Sequence, residues 1–223
     1  CNYKIDQYPK RSHFINLVTE IDNIQELSLN WIKSQQILNQ DNKIKFLKTH
    51  HAFCNYKNSY FTNNDVSLGV VHIVRDPRNV ISSILYHFSK KNYKEAKEFL
   101  FDENKALGNK FDINDPNANR NIFTIISSWK NHYNSWKQFK KNYLLVKYED
   151  LIQDPYKEFN KLSDYLSKIV NINFDSNKIN SAIKSNSFEN LRKLETKNGF
   201  AEAIKDKQTG EKKQFFNLGP DND

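Results

Sequence analysis

Short runs of β-branched and aromatic residues alternate along this chain with longer segments whose apolar residues recur every three or four positions. The strongest run, Val70–Val74, follows Gly69 and predicts a parallel strand buried on both faces. Weaker runs at 44–49 and 143–146 also predict strands. The periodic segments predict helices over 26–40, 77–89, 93–107, 120–140, 155–169, 176–185 and 187–196.

The remaining segments are polar, and they predict irregular structure over 1–25 and loops over 55–64 and 108–119. Strands that alternate with helices are typical of an α/β fold with a parallel sheet. The chain contains no internal repeat and no boundary that would divide it, so residues 1–223 are expected to form a single domain.

The end of the Val70–Val74 run is the first candidate for chemistry. Arg75 closes the strand, Asp76 can cap the next helix, and Pro77 suits the first helical position. A helix that begins just past the carboxyl end of a parallel strand favours an anion, and Arg75 with Ser82 and Ser83 could bind a phosphate. An ordinary strand-to-helix junction with an Arg–Asp ion pair explains this segment equally well.

A second candidate follows the strand at 44–49, which ends in Lys48-Thr49-His50-His51. Alternation along an extended segment places Lys48 and His50 on one face and His51 on the other. A histidine beside a lysine suits proton transfer next to an anionic group. A solvated strand end with two incidental histidines is the more common explanation of these residues taken alone.

Two further candidates, a group on one predicted helix and a tyrosine at a strand end, have competing explanations. Trp129, His132 and Trp136 recur at helical spacing around Ser135, and we interpret them as core packing with the histidine bound to a nearby polar group. Tyr148 follows a predicted strand, where ligands bind in open α/β sheets, but it could equally fill a gap in the packing.

The segment Tyr8-Pro9-Lys10-Arg11-Ser12 has a superficial likeness to a phosphate-binding loop. It lacks the glycine that such loops generally require, no apolar strand is predicted before it, and no clear helix start follows it. The sequence therefore argues against a phosphate loop at this position.

Composition narrows the possible partners. The net charge of +8 favours an anionic ligand, but the chain has no basic block, zinc-finger spacing or RNA-stacking motif, so nucleic acid is not an expected partner. No apolar run reaches the length of a membrane span and no signal peptide is visible. Cys1 and Cys54 form no metal or disulfide pattern, which fits reduced thiols in the cytoplasm.

The order of the motifs is more specific than any one of them. Taken in order, six motifs resemble those of the sulfotransferases of the cytosolic and bacterial type. They are Lys48-Thr49-His50, the strand ending in Arg75, Trp129-x-x-His132, Lys147-Tyr148-Glu149-Asp150-Leu151, Ser187-Phe188 and Phe215–Gly219. These enzymes use 3′-phosphoadenosine 5′-phosphosulfate (PAPS). The resemblance implies an α/β, P-loop-NTPase-like three-layer fold with a central parallel sheet. It also implies a cytoplasmic enzyme that moves a sulfuryl group from PAPS to an acceptor hydroxyl or amine without a metal.

The resemblance also implies roles for individual residues. His50 matches the general base and Lys48 the lysine near the sulfuryl group. Arg75 and Ser83 match the pair that binds the 3′-phosphate, and Tyr148 matches the tyrosine near the adenine. Asn217, Leu218 and Gly219 match the carboxyl-terminal 3′-phosphate loop, although many members carry arginine and lysine in the first two positions. The lost charges should weaken that part of the site or leave binding to backbone N–H groups.

The family's Pro-Lys-Ser-Gly-x-Thr-Trp loop, which holds the 5′-phosphosulfate, is not found in this sequence. Because the chain starts at Cys1 and contains no Met, we expect an incomplete domain, truncated at both ends, whose loop lies upstream and which has little activity alone. The alternatives are a degenerate, non-catalytic nucleotide or anion binder and, less favoured, a kinase-like enzyme using Asp76. The acceptor stays open between a small metabolite, a carbohydrate and a lipid headgroup, shaped by residues 52–68, 100–119 and 198–214.

Overall fold

A computed structural model describes residues 4–108, 119, 121–200, 203–204 and 210–219. The strands are β1 Ile5–Gln7, β2 Phe46–Lys48, β3 Asn55–Tyr56, β4 Ser59–Tyr60, β5 Val70–Val74, β6 Ala106–Leu107, β7 Thr124–Ile125 and β8 Tyr143–Lys147. The helices are α1 Ile24–Leu38, α2 Pro77–His87, α3 Tyr93–Phe101, α4 Trp129–Trp136, α5 Tyr148–Gln153, α6 Pro155–Val170, α7 Ser176–Ser185 and α8 Phe188–Asn198. A 3-10 turn spans Arg11–His13.

The chain divides into two compact units, the first formed by Cys1–Val70 with Phe101–Tyr143 and the second by Val71–Leu100 with Leu144–Asp223. In the first unit β1 pairs with β2 in parallel, while β3–β4 and β6–β7 are antiparallel pairs. Strands β5 and β8 are neighbours in a two-stranded sheet. The α/β class with parallel strands is therefore confirmed, whereas the single-domain assignment stays a prediction.

The first unit contains the largest apolar cluster. Its buried members are Tyr8, Phe14, Leu27, Trp31, Phe61, Ile122, Trp136 and Phe139. Helix α1 contributes Leu27 and Trp31 from one face, and Asn23 caps its start by accepting from the backbone N–H groups of Gln25 and Glu26. This cluster lies against the chain that follows β2.

The second unit is built mainly from helices with capped starts. Asp76, Asp154, Asp175 and Ser187 cap α2, α6, α7 and α8 through side-chain oxygens that accept backbone N–H groups. Its strand β5 was expected to be buried on both faces, but Ile73 is 62% exposed, so that expectation is wrong for one face.

Several predicted boundaries also differ. The segment predicted as one helix over 120–140 is strand β7 followed by the shorter α4, because Thr124–Ile125 pairs with Ala106–Leu107 and Ser128 caps a new helix. The predicted loop at 55–64 contains the β3–β4 hairpin. Most of the predicted loop at 108–119 lies outside the described residues, as does part of 198–214.

Candidate functional site

The carboxyl end of β2 separates the two neighbouring histidines as alternation predicted. His50 is exposed, whereas His51 is fully buried at 0% exposure. Lys48, the last residue of β2, is also exposed. His50 and Lys48 are therefore accessible to a ligand at this strand end, and His51 belongs to the core.

The buried His51 ring is part of an aromatic stack. It lies face to face with Phe61 at a centroid distance of 4.0 Å and edge-on to Trp31 at 4.8 Å. Its Nδ1 donates to the carbonyl of Ala52 at 2.8 Å, while Nε2 has no hydrogen-bond partner among the described residues. Burial lowers the pKa of His51 to about 3, so the ring is neutral at physiological pH.

Helix α4 holds the backbone that follows His50. Trp136 Nε1 donates to the carbonyl of His51 at 3.0 Å, and Ser135 Oγ accepts from the N–H of Phe53 at 3.0 Å. His132, whose pKa is lowered mainly by burial, hydrogen-bonds the backbone of His50 and His51. The polar residues of this helix thus act on the strand end, which fits the interpretation of His132 as a packed, hydrogen-bonded histidine.

The segment after β1 is more ordered than the sequence indicated. A three-residue strand, Ile5–Gln7, precedes it, although two of its residues are polar, and the 3-10 turn Arg11–His13 overlaps its end. The N–H of Tyr8 donates to the carbonyl of Lys48 at 2.9 Å. Lys10 therefore follows β1 at the same sheet edge where Lys48 ends β2.

Buried side chains fix this segment in place. The Tyr8 hydroxyl donates to the carbonyl of Trp31 at 2.9 Å, and burial raises its pKa. Arg11 Nε donates to the carbonyl of Asn121 at 2.8 Å, and its guanidinium pairs with Asp22. Lys10 pairs with Asp6, whose pKa is lowered first by that hydrogen bond. The signal the sequence offered was the Pro9-Lys10 pair after an extended segment.

In the second unit, Arg75 lies at the end of β5 with most of its donors unused. Its guanidinium carbon is 4.5 Å from the centre of the Tyr148 ring, a cation–π distance. Its Nε and Nη2 are buried and have no hydrogen-bond partner among the described residues. Buried donors are normally paired, so these two nitrogens are available to an anionic ligand.

The alternative explanation of this junction, an Arg–Asp ion pair, applies to a different arginine. Arg78 Nη2 lies 2.6 Å from Asp76, and Asp76 Oδ1 accepts the N–H of Arg78 at 2.8 Å to cap α2. These hydrogen bonds lower the pKa of Asp76 to about 2. The N–H of Asp76 donates to Glu149 at 2.7 Å. Among the described residues, the ion pair at this junction is therefore formed by Arg78 and not by Arg75.

The other residues implied for nucleotide binding also lie in the second unit. Ser83 is half-buried on α2, and its hydroxyl lies 3.4 Å from the carbonyl of Asn79. Tyr148 begins α5 directly after β8, at the strand end where the sequence placed it. Arg75 and Tyr148 are thus in contact with each other.

The carboxyl-terminal segment is held by a residue that the sequence analysis missed. The buried carboxylate of Glu195, on α8, accepts the N–H of Phe215 at 2.6 Å and that of Phe216 at 2.9 Å. Gly219 has φ +72°, and a Cβ there would meet the Phe188 ring at 3.0 Å. Only glycine suits this position. No sequence signal pairs Glu195 with residues 20 positions away.

The residues that could hold PAPS are therefore Arg75, Ser83, Tyr148 and the segment Asn217–Gly219, and the unused donors of Arg75 fit its phosphate groups. Within the described part of the chain, no three metal-ligating side chains lie together. No helix among the described residues has both the length and the apolar character that crossing a bilayer requires.

Comparison with known proteins is consistent with this geometry. The family model of the sulfotransferase domain matches residues 4–223. Sulfotransferase 2A1 of Macaca fascicularis is 23% identical over 175 residues, covering 75% of this chain and 54% of that protein. The 3-beta-hydroxysteroid sulfotransferase of Cavia porcellus is 25% identical over 175 residues, with the same coverage. The chain spans about half the length of the curated relatives it matches.

Two solved structures share the fold. Mouse sulfotransferase SULT7A1 complexed with PAP has a TM-score of 0.51 at 17% identity, covering 84% of this chain and 64% of that one. Retinol dehydratase in complex with androsterone and the inactive cofactor PAP has a TM-score of 0.50 at 18% identity, covering 86% and 53%. These likenesses confirm the P-loop-NTPase-like fold class, and the match over residues 4–223 shows that this chain belongs to the sulfotransferase domain family.

Proposed function

We propose that this protein transfers a sulfuryl group from PAPS to an acceptor hydroxyl or amine, with His50 as the general base. The observation that carries the proposal is the Arg75 guanidinium, whose Nε and Nη2 are buried without a hydrogen-bond partner among the described residues. A site that keeps two charged donors unpaired is suited to an anionic ligand, because the ligand then supplies the missing hydrogen bonds.

The nucleotide half of the proposal belongs to the second unit. Arg75 and Ser83 bind the 3′-phosphate, and the Tyr148 ring, with Arg75 against it at 4.5 Å, packs beside the adenine. Arginine suits this role because its planar fork forms two parallel hydrogen bonds to a phosphate. The relatives that were solved with PAP support the choice of nucleotide.

The proton-transfer half belongs to the first unit. PAPS supplies the sulfuryl group; the acceptor oxygen or nitrogen attacks its sulfur as the bond from sulfur to the PAP phosphate breaks. His50 takes the acceptor proton and Lys48 neutralises charge that develops on the transferring group. Both side chains are exposed at the end of β2, which supports access by an acceptor.

We further propose that residues 8–14 take the place of the family's phosphosulfate loop. The segment follows a strand that is parallel to β2, and Lys10 lies at the sheet edge where β2 ends. Arg11 and Ser12 stand where the loop of the family has serine and glycine. This proposal competes with the expectation of a loop upstream of Cys1 and of low activity. Robust PAPS turnover that is lost in Lys10→Ala would support residues 8–14.

The first experiment is PAP binding by calorimetry to the wild type, Arg75→Gln and Arg78→Ala. Charged hydrogen bonds contribute about 1.5–3 kcal/mol each, so Arg75→Gln should weaken PAP binding about tenfold to a hundredfold. Arg78 is the control arginine, because it lies nearby at the start of α2 and its exposed side chain is already paired with Asp76. Equal affinity of the wild type and Arg75→Gln would contradict the assignment of Arg75.

Turnover separates this function from the non-catalytic alternative. PAPS consumption is measured with a 3β-hydroxysteroid, a monosaccharide and a lipid headgroup as acceptors, because one relative is a 3-beta-hydroxysteroid sulfotransferase. PAP binding without turnover by any of them would favour a degenerate nucleotide binder. The resemblance to cytosolic members supports a cytoplasmic site of action.

A further inference from the structure

A cavity of about 560 Å³ lies in the second unit between α8 and the carboxyl-terminal segment, on the side where Asn217–Gly219 runs. Its wall is formed by Phe188, Glu189, Arg192, Lys193, Thr196, Asn217, Leu218 and Gly219. The segment itself contributes an amide, an apolar side chain and a glycine, and therefore no positive charge. All the positive charge on the wall comes from two adjacent residues of α8.

Those two residues, Arg192 and Lys193, have exposed side chains in the middle of α8. Glu189 lies one turn earlier and its carboxylate offsets one of the two charges. An arginine fork beside an ammonium group is suited to a phosphate monoester, whose charge is close to −2 at neutral pH. The wall therefore keeps a net positive charge, which favours an anionic group.

The same helix also fixes the opposite wall. Glu195 accepts two successive backbone N–H groups, from Phe215 and Phe216, directly before Asn217. Its position on α8 ties the segment to the helix that presents Arg192 and Lys193, and Gly219 then packs on the ring of Phe188. One helix thus both places the loop and supplies its charge.

We propose that Arg192 and Lys193 bind the 3′-phosphate end of the nucleotide in place of the basic side chains that Asn217 and Leu218 do not provide. The inference rests on the proposed function and assigns the cationic part of this loop to α8. The guanidinium and ammonium groups approach the phosphate from the helix, while Asn217 and the backbone of the loop contact it from the other wall of the cavity.

The test compares PAP with adenosine 5′-phosphate, which lacks the 3′-phosphate. In Arg192→Ala/Lys193→Ala, PAP affinity should fall about 100-fold to 10,000-fold, because two charge-assisted contacts are lost. Affinity for adenosine 5′-phosphate should stay that of the wild type. The matched control is Lys184→Ala/Lys197→Ala, which removes the same charge from exposed positions of α7 and α8 that do not line the cavity.

A charge relocation completes the test. Asn217→Arg/Leu218→Lys, added to the double alanine variant, should recover most of the lost PAP affinity. An unchanged affinity of the double alanine variant for PAP, or an equal loss for both nucleotides, would overturn the inference and leave Arg75 as the test of function. A wild-type chain that binds no PAP would overturn the proposed function together with this inference.

Discussion

The backbone beside His50 and the guanidinium of Arg75 differ in how many of their polar groups are hydrogen-bonded by the protein itself. Trp136, Ser135 and His132 hydrogen-bond the backbone from His50 to Phe53. Arg75 instead has two buried nitrogens without a partner among the described residues. A general base must be positioned before the substrate arrives, whereas an anion-binding arginine must leave its donors to the ligand.

The largest expected effect concerns His50, the proposed general base. In His50→Gln we expect kcat for sulfuryl transfer to fall about 100-fold to 10,000-fold, since a positioned general base contributes about that much. The affinity for PAP should not change, because His50 is proposed to take a proton from the acceptor and not to contact the nucleotide. Steady-state kinetics and calorimetry on the same preparations check both statements.

The pH profile gives a second readout. If His50 is the base, the ascending acid limb of kcat/KM in the wild type should disappear in His50→Gln. A variant that keeps this limb, or that loses PAP affinity as much as activity, would show that His50 acts in binding or folding.

The residues proposed for chemistry were more predictable than the frame that supports them. His50 and Arg75 follow strands, and a run of apolar residues identifies such ends directly. The hydrogen bond from Phe53 to Ser135 joins residues 82 positions apart, so no local pattern indicates it. The same is true of Glu195, whose partners lie beyond a polar segment.

The helices and strands also differ in how well the sequence predicted them. Val70–Val74 and Ser176–Ser185 were predicted with the boundaries that the structure has, because each contains its own pattern. The helix predicted over 120–140 was wrong in its first half. Ile122 and Ile125 fit helical spacing, but pairing of β7 with β6 decides the structure there, and Ser127 at φ +57° interrupts the chain before α4.

A second prediction uses the buried ring of His51. In the folded protein the pKa of His51 is about 3, against an ordinary value of 6.5. Between these values the unfolded chain binds a proton that the folded protein excludes. The contribution of neutral His51 to the free energy of unfolding is therefore complete above pH 6.5 and is lost as the pH falls toward 3. The slope is about 1.4 kcal/mol per pH unit.

His51→Phe tests this because it keeps an aromatic ring against Phe61 and removes the titrating group. The free energy of unfolding, measured with urea at several pH values across that window, should depend less steeply on pH in the variant. His132, whose pKa is also lowered by burial, should leave a residual slope of the same sign. Parallel pH curves for the wild type and His51→Phe would show that His51 is not the group responsible.

The smallest effect concerns the start of α2, next to Arg75. Asp76→Ala removes the oxygen that accepts the N–H of Arg78, and should cost about 1 kcal/mol of folding free energy. Asp76→Asn is the matched control, because the asparagine oxygen can still accept this N–H. This variant loses only the ion pair with Arg78. Thermal unfolding checks the difference, and an asparagine variant as unstable as the alanine variant would contradict the capping role.

PAP affinity should change far less in either variant than in Arg75→Gln. The cap fixes the helix, but the nitrogens proposed to bind the phosphate belong to Arg75 at the strand end, so stability and ligand affinity should separate at two adjacent residues.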